Sequence, residues 1–422
     1  MAANSISFVL IILVHIPLAR ILGVQDYGVF TFLVSWIMII TIFADLGMES
    51  VLVKYTPAHF SRGEYDSLRG LFFTSFLTIL LLGGIITGII FVSSDFISNQ
   101  FDGSISSTHL EIAALAILPI LMQKIFTGAL QGFKRVLLAV ILNNVVRHAL
   151  MLAIFLSLLH VARNNDASIA LWAMLLSYVI VVTTLFSYWI WILPKILVKS
   201  QHVILRIKEW FSFSFCMLFI AGLITLMGHI DTAMIGLWLG PEETGIYAIS
   251  VKFSALITLA LAGINTLMAP VISEKYALAK IDELQSLLTK GARFITIATF
   301  LIFILVALSV PFILPLYGEE FTRSYIPFLC IAAGQVVNAL SGPVAFLMVM
   351  TGHHRQAAYL ISCILILNIL GNALMIPIAG IIGAAVVTGV SLSIWNLSLL
   401  IYVRRRLKLN PCLIRMPVQS NQ

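Results

Sequence analysis

The feature that most limits what this chain can fold into is a series of apolar runs, almost free of charge and most of them close to twenty residues long. A helix of roughly 20 apolar residues crosses the hydrocarbon core of a bilayer, whereas a lipid-spanning barrel shows strands of about ten residues that alternate apolar and polar. Composition agrees, because only 10% of the 422 residues are charged and 60% are hydrophobic. A soluble domain carries about 25% charged residues, so an aqueous core cannot hide this much apolar surface. The expected class is an all-α integral membrane protein.

Divided at charged or Gly/Pro-rich stretches, the runs predict twelve spans at 5–20, 29–53, 70–93, 110–130, 136–160, 168–193, 211–238, 244–270, 292–316, 325–350, 357–377 and 379–403. An even number returns the chain to its starting side. Lys and Arg are retained on the cytoplasmic side of short loops. Placing the N-terminus inside puts nineteen of the 25 on inner loops and tail, leaving Arg20, Arg163 and Arg323 outside and Lys124, Arg147 and Lys252 within spans. Both termini are therefore expected in the cytoplasm, and the net charge of +7 needs no nucleic acid to explain it. The loop 94–109, with two Asp and no Lys or Arg, faces out. Cys216, Cys330 and Cys363 lie in apolar runs and Cys412 in a basic tail, with no C-x-x-C spacing, which argues against a disulfide framework or a zinc site. The first run has neither a basic region before it nor a small-residue cleavage motif after it, so no signal peptide is expected.

The chain also repeats itself. "ARILGVQDYGVF" at 19–30 returns as "LWLGPEETGIYAI" at 237–249, so that Leu22-Gly23 matches Leu239-Gly240 and Gly28 matches Gly245 at an offset of 217. A second echo pairs "QGFKR" at 131–135 with "TGHHR" at 351–355, aligning Gly132 with Gly352 and Arg135 with Arg355 at an offset of 220. Such an offset spans six helices, an even number, so the halves share one orientation. Parallel repeats of this kind are a transporter architecture with the substrate site between two rocking halves. The expected organisation is a six-helix bundle over 1–200, a second over 201–410 and a basic cytoplasmic tail over 411–422. By itself the repeated motif reads as a tight hairpin between adjacent helices.

"LARILGVQDYGVF" followed by "ADLGMESVLVKY", and in the second half "DTAMIGLWLGPEETGIYAISVKFS", resembles the polysaccharide-export flippases, the Wzx-type branch of the multidrug/oligosaccharidyl-lipid/polysaccharide exporter superfamily. The resemblance covers essentially the whole chain. It implies two six-helix bundles around a central cavity and transfer of an undecaprenyl-diphosphate-linked oligosaccharide from the inner to the outer leaflet. It also implies an inner-membrane location, no cofactor, and work alongside a polysaccharide polymerase and chain-length proteins. Members usually begin with more residues, often including a basic one, so the first helix is expected to be cut short at its inner end.

An ionisable side chain in mid-membrane costs about 2.5 kcal/mol or more, so it faces the protein interior or a hydrated cavity. Arg147, in "ILNNVVRHAL", lies ~16 Å from the inner start of its span, too deep to snorkel fully. Asn143 and Asn144 precede it by four and three residues and share its helix face. The alternatives are a cavity-lining cluster or a hydrogen-bond cluster between helices. His148 reads as a packed neutral histidine. Lys124 and Arg20 join these as candidate substrate contacts, Arg20 on the strength of the resemblance and against an interfacial anchoring role. Asp45 and Glu49 share a face. Glu49 is near enough to the inner surface to be solvated, and Asp45 is expected to pair with a cation such as Lys124 or to titrate during transport. Asp231 and Lys252 lie at one depth, ~10–12 Å below the outer ends of adjacent spans, and are expected to form an ion pair.

Other features read as packing. Gly84 and Gly88 form a G-x-x-x-G suited to close helix approach. Pro119, Pro270, Pro343 and Pro377 are kink candidates. "EKYALAKIDELQSLLTK" at 274–290 reads as an amphipathic helix on the inner surface. The sequence holds no Walker-type phosphate loop, no metal-ligand cluster and no nucleophile-base pair, so an ion gradient is a better energy source than ATP. Two other functions compete. A drug or metabolite antiporter of the same superfamily would show an acidic cavity, whereas the deep charges here include three cations. A membrane-embedded glycosyltransferase or polymerase would carry long outer loops with catalytic carboxylates, and the longest outer loop is short.

Overall fold

The structure is a computed structural model that describes residues 2–101, 103–161, 166–197, 202–278 and 280–412. In chain order the helices are α1 (Ala2–Asp45), α2 (Met48–Ser61), α3 (Tyr65–Val92), the short α4 (Ser94–Ser98), α5 (Ser107–Gly132), α6 (Val136–Val140), α7 (Arg147–Val161) and α8 (Ala167–Leu197). They continue with α9 (Ile207–Trp238), α10 (Pro241–Ala255), α11 (Leu259–Ala277), α12 (Ile281–Tyr317), α13 (Tyr325–Ser341), α14 (Val344–Met350) and α15 (His354–Tyr402). A π-helical segment over 141–146 joins α6 to α7.

Among the described residues, ten helical stretches are long and apolar enough to cross a membrane. Two of them, 10–45 and 355–407, turn inside α1 at Gly23 and inside α15 at Gly380, which brings the crossings to the twelve read from the sequence. Gly23 takes φ 76° and ψ 174°, and Gly240, 217 residues on, takes φ 87° and ψ −178°. That region of backbone space is open to glycine and almost to nothing else. The repeat is thus a repeat of conformation, and the glycines of the L-G motif are where each hairpin turns.

The second echo holds in a different register. At the end of α5 the amides of Lys134 and Arg135 donate to the carbonyls of Gln131 and Leu130, and before α15 those of Gly352 and His353 donate to Val349 and Met348. These are one helix-ending motif, with the left-handed residue at Lys134 in one half and Gly352 in the other. The structural offset is therefore 218, not 220, and Gly132 matches no turn glycine. Gly132 is instead required by packing, since a Cβ there would meet the Thr56 Cβ at 2.6 Å.

The chain forms two compact units, residues 2–233 and residues 234 onward, so the seam falls within α9 and not near residue 200. The reason is local packing of the N-terminal part of α9. A Cβ on Gly222 would meet Ile42 at 2.7 Å, a Cβ on Gly47 would meet the Ser214 carbonyl at 2.7 Å, and the Ser214 hydroxyl donates to the Leu46 carbonyl. In the first unit α5 packs against α1, α2, α3 and α8, while α7 packs against α8 and α1. In the second, α13 packs against α15, α10 and α12, and α11 against α12 and α14.

Three local expectations change. The small-residue face of α3 is Gly83 with Thr87, whose hydroxyl donates to the Ala114 carbonyl at 3.3 Å; Gly84 and Gly88 face open space, one residue off that contact line. The stretch 274–290 is no separate surface helix: α11 ends at Ala277 with a turn at Leu278, and Ile281 onward is the first part of α12, with Leu284 and Leu288 buried. The sharp breaks within spans fall at Leu46-Gly47 and Gly342, where φ is positive, and not at Pro119 or Pro377, which sit inside continuous helix; Pro343 follows the break at Gly342.

Candidate substrate site

The polar residues of the first unit's interior are assembled by two departures from regular helix. The first is the break in the second span. Leu46 and Gly47 both take left-handed φ, at 48° and 79°. Glycine at 47 answers both the positive φ and the close approach of α9 noted above. The buried Asp45 carboxylate accepts from the Glu49 amide at 3.4 Å, so it caps the restarted helix. Glu49 is half-buried and not simply solvated, because α2 lies so close to α5 that a Cβ on Gly128 would stand 2.7 Å from the Glu49 carbonyl oxygen. Lys124 acts on Asp45 and Glu49 through space, but among the described residues it makes no ion pair within 4.0 Å with either.

The second departure is the π-segment at 141–146. Wider turns shift the helical phase just before Arg147. Asn143 and Arg147, expected on one face, consequently serve different neighbours. The Asn143 side chain donates to Thr127 Oγ1 at 2.6 Å and accepts from Gln123 Nε2 at 2.6 Å, both on α5. Arg147 instead lays its guanidinium over the Tyr178 ring of α8, 4.7 Å from the ring centre. Its Nε donates to the Asn143 carbonyl at 3.0 Å and one terminal nitrogen reaches His148 Nε2 at 2.9 Å. Among the described residues no carboxylate lies within 4.0 Å of it. A guanidinium has five N–H donors. Two are engaged, and three remain for an anion.

Asn144 contributes its backbone carbonyl, which accepts from His148 Nδ1 at 2.7 Å. Arg20 is exposed, three residues before the Gly23 turn, and among the described residues it is not one of the groups bonded to Arg147. Asp231 is buried near the C-terminal end of α9, in the first unit, and Lys252 is half-buried on α10, in the second. Arg163 lies outside the described residues.

Several polar groups went unread in the sequence. Across the Gly23 turn the Tyr27 hydroxyl and His15 Nδ1 are 3.0 Å apart, both buried; Tyr27 lies inside the repeated motif, which was the available signal. Gln123 and Thr127 sit four apart beside Lys124 and are uncharged, so the depth of ionisable residues does not mark them. In the second unit, Asn368 and Asn372 on α15 are fully buried and hydrogen-bonded to each other at 3.2 Å, and the Tyr247 hydroxyl meets Thr388 Oγ1 at 3.1 Å. Two Asn at helical spacing in the run "ILNILGN" were the sign of that buried pair.

The comparisons agree with this architecture. Among solved structures, an inward-facing multidrug resistance MATE transporter of the MOP superfamily matches with a TM-score of 0.78 at 13% identity, covering 95% of this chain and 94% of that one. The inward closed conformation of the lipid II flippase MurJ matches with a TM-score of 0.72 at 13% identity, covering 96% and 87%. At such identity the likeness is one of fold. In sequence, the probable low-salt glycan biosynthesis flippase Agl15 of Haloferax volcanii is 21% identical over 380 residues, 89% of this chain and 76% of that protein. A family model described as MatE matches residues 216–374. The model described as polysaccharide biosynthesis protein matches residues 1–275, well over half of the chain, and the chain is a multi-pass membrane protein that belongs to this family.

Proposed function

We infer that the protein is a flippase that carries an undecaprenyl-diphosphate-linked oligosaccharide, an O-antigen or other surface-polysaccharide repeat unit, from the inner to the outer leaflet of the cell membrane. It would act by alternating access and draw on an ion gradient, with both termini in the cytoplasm. The observation that carries this reading is Arg147: a cation deep in its span, with no carboxylate against it among the described residues and three unused donors. A guanidinium suits a diphosphate because it stays charged and offers a planar fork of donors. Membership of the polysaccharide family and the named activities of Agl15 and MurJ support the same class of cargo.

Lys124 and Arg20 are assigned secondary contacts with the diphosphate or sugar. Asn144 and Asn143 shape the site around Arg147, Asn143 through its backbone carbonyl. Asp45, Asp231 and Lys252 are assigned to coupling or ion pairing. The polyprenyl tail stays in lipid, and the product is handed to a polysaccharide polymerase and chain-length proteins. Replacing Arg147 by Ala tests the reading, with surface polysaccharide and membrane abundance measured together.

A second reading, a drug or metabolite antiporter, is favoured by the MatE match over 216–374. It predicts that deleting the gene sensitises cells to cationic drugs and leaves surface polysaccharide intact.

A further inference from the structure

His148 is buried and sits directly after the residue on which the functional reading rests. Its hydrogen bonds fix its chemistry. Nδ1 lies 2.7 Å from the Asn144 carbonyl, which can only accept, so Nδ1 carries the proton. One terminal nitrogen of Arg147, which can only donate, lies 2.9 Å from Nε2 and 3.5 Å from Nδ1, so the unprotonated Nε2 is its acceptor. The imidazole is thus neutral and held in one tautomer. The π-segment makes this possible, because its shifted backbone pairing leaves the carbonyls of Asn143 and Asn144 within reach of the side chains four residues on: Arg147 Nε takes the first and His148 Nδ1 the second.

The guanidinium is therefore fixed at three points. The Asn143 carbonyl holds Nε, the Tyr178 ring supports one face, and His148 Nε2 holds one terminal nitrogen. Remove His148 and the fork can still rest on Tyr178, but it is free to rotate about its long side chain. An anion must then pay for ordering a flexible arginine.

We propose that His148 is a positioning residue for the anion site: its tautomer, locked by the Asn144 carbonyl, aims the Arg147 guanidinium so that its free donors face an incoming diphosphate. The proposal rests on the reading of Arg147 as the diphosphate contact. Asn144 joins the site on this account through its carbonyl rather than its side chain.

The test uses the full-length protein in lipid nanodiscs with geranyl diphosphate, a short soluble polyprenyl diphosphate, as the probe. His148→Leu is expected to weaken binding about tenfold, the weight of one hydrogen bond to a charged group, at unchanged thermal midpoint. His148→Gln can donate to the Asn144 carbonyl and accept from Arg147, and is expected to bind within about twofold of the parent. Arg147→Ala/His148→Leu is expected to bind no worse than Arg147→Ala alone, because His148 acts through Arg147. Unchanged binding by His148→Leu, or a lowered thermal midpoint with unchanged binding, overturns the positioning role and leaves the Arg147 reading standing. So does a histidine effect that adds to the Arg147→Ala loss. If Arg147→Ala itself binds the probe as the parent does, the diphosphate reading falls, and the role of His148 with it.

Discussion

The turn glycines give the sharpest structural prediction. Gly23 and Gly240 occupy φ of 76° and 87° with ψ near 180°, and a Cβ built at either position meets nothing within 4 Å. Alanine there is consequently not crowded by any neighbour, and its whole cost is backbone strain, about 1–3 kcal/mol at each site. The two positions fall in different units. Their costs should add, to about 2–6 kcal/mol in the double variant. For units of roughly 200 residues, about 1 kcal/mol lowers a thermal midpoint by ~2–4 °C. Each single variant should therefore melt ~2–12 °C lower in detergent, by tryptophan fluorescence or by loss of a monodisperse peak. Gly84→Ala and Gly88→Ala supply the control, since both sites are open and carry ordinary helical φ; they should be neutral or slightly stabilising, as Ala favours a helix over Gly by up to about 1 kcal/mol. If Gly23→Ala and Gly240→Ala melt with the parent while the controls do not, the glycines are not conformational requirements, and the physical reason given for the repeat is wrong.

Two further outcomes follow. An alkaline phosphatase reporter fused after Asn165 should be active and one fused after Arg405 inactive, from the loop distribution of Lys and Arg; the opposite result reverses the orientation. Glu64, in the turn between α2 and α3, accepts from His59 Nδ1 at 2.7 Å and from Arg206 at 3.0 Å, and the His59 hydrogen bond first, then the Arg206 charge, holds its carboxyl below the ordinary 4.5. Its contribution is present above that value and lost as pH falls through the lower folded one. The midpoint difference between the parent and Glu64→Gln should accordingly be seen near pH 7 and vanish in acid; a difference constant with pH contradicts the assignment.

Much of the fold was legible because hydrophobic run length and glycine placement each act through one local rule. Gly23 and Gly240 could be matched from sequence because the turn needs a residue type as well as a position. Lys134 and Gly352 could not, since the same left-handed turn is made by lysine in one half and glycine in the other, and the letters "QGFKR" and "TGHHR" align two residues out of step. Phase was the other loss. The choice of Gly84 and Gly88 over Gly83 and Thr87 was an error of one residue on α3, enough to turn a face from α5 to open space. The π-segment had no sequence signal that periodicity could read, and it separated Asn143 from Arg147 while bringing His148 to the guanidinium. The seam inside α9 depends on packing at Gly47 and Gly222, contacts distant in sequence that no local pattern encodes.

The central claim is that Arg147 holds the cargo's diphosphate, and surface polysaccharide measured alongside membrane abundance in Arg147 variants tests it most directly. Arg147→Ala should abolish export, a loss of two or more orders of magnitude for a desolvated charge contact of about 3 kcal/mol, with protein inserted at parental levels. Arg147→Lys should retain partial export, since an ammonium keeps the charge and loses the fork. Normal export in the alanine variant contradicts the claim outright, and export lost in step with protein abundance assigns Arg147 to holding α7 against Tyr178 instead of to the cargo.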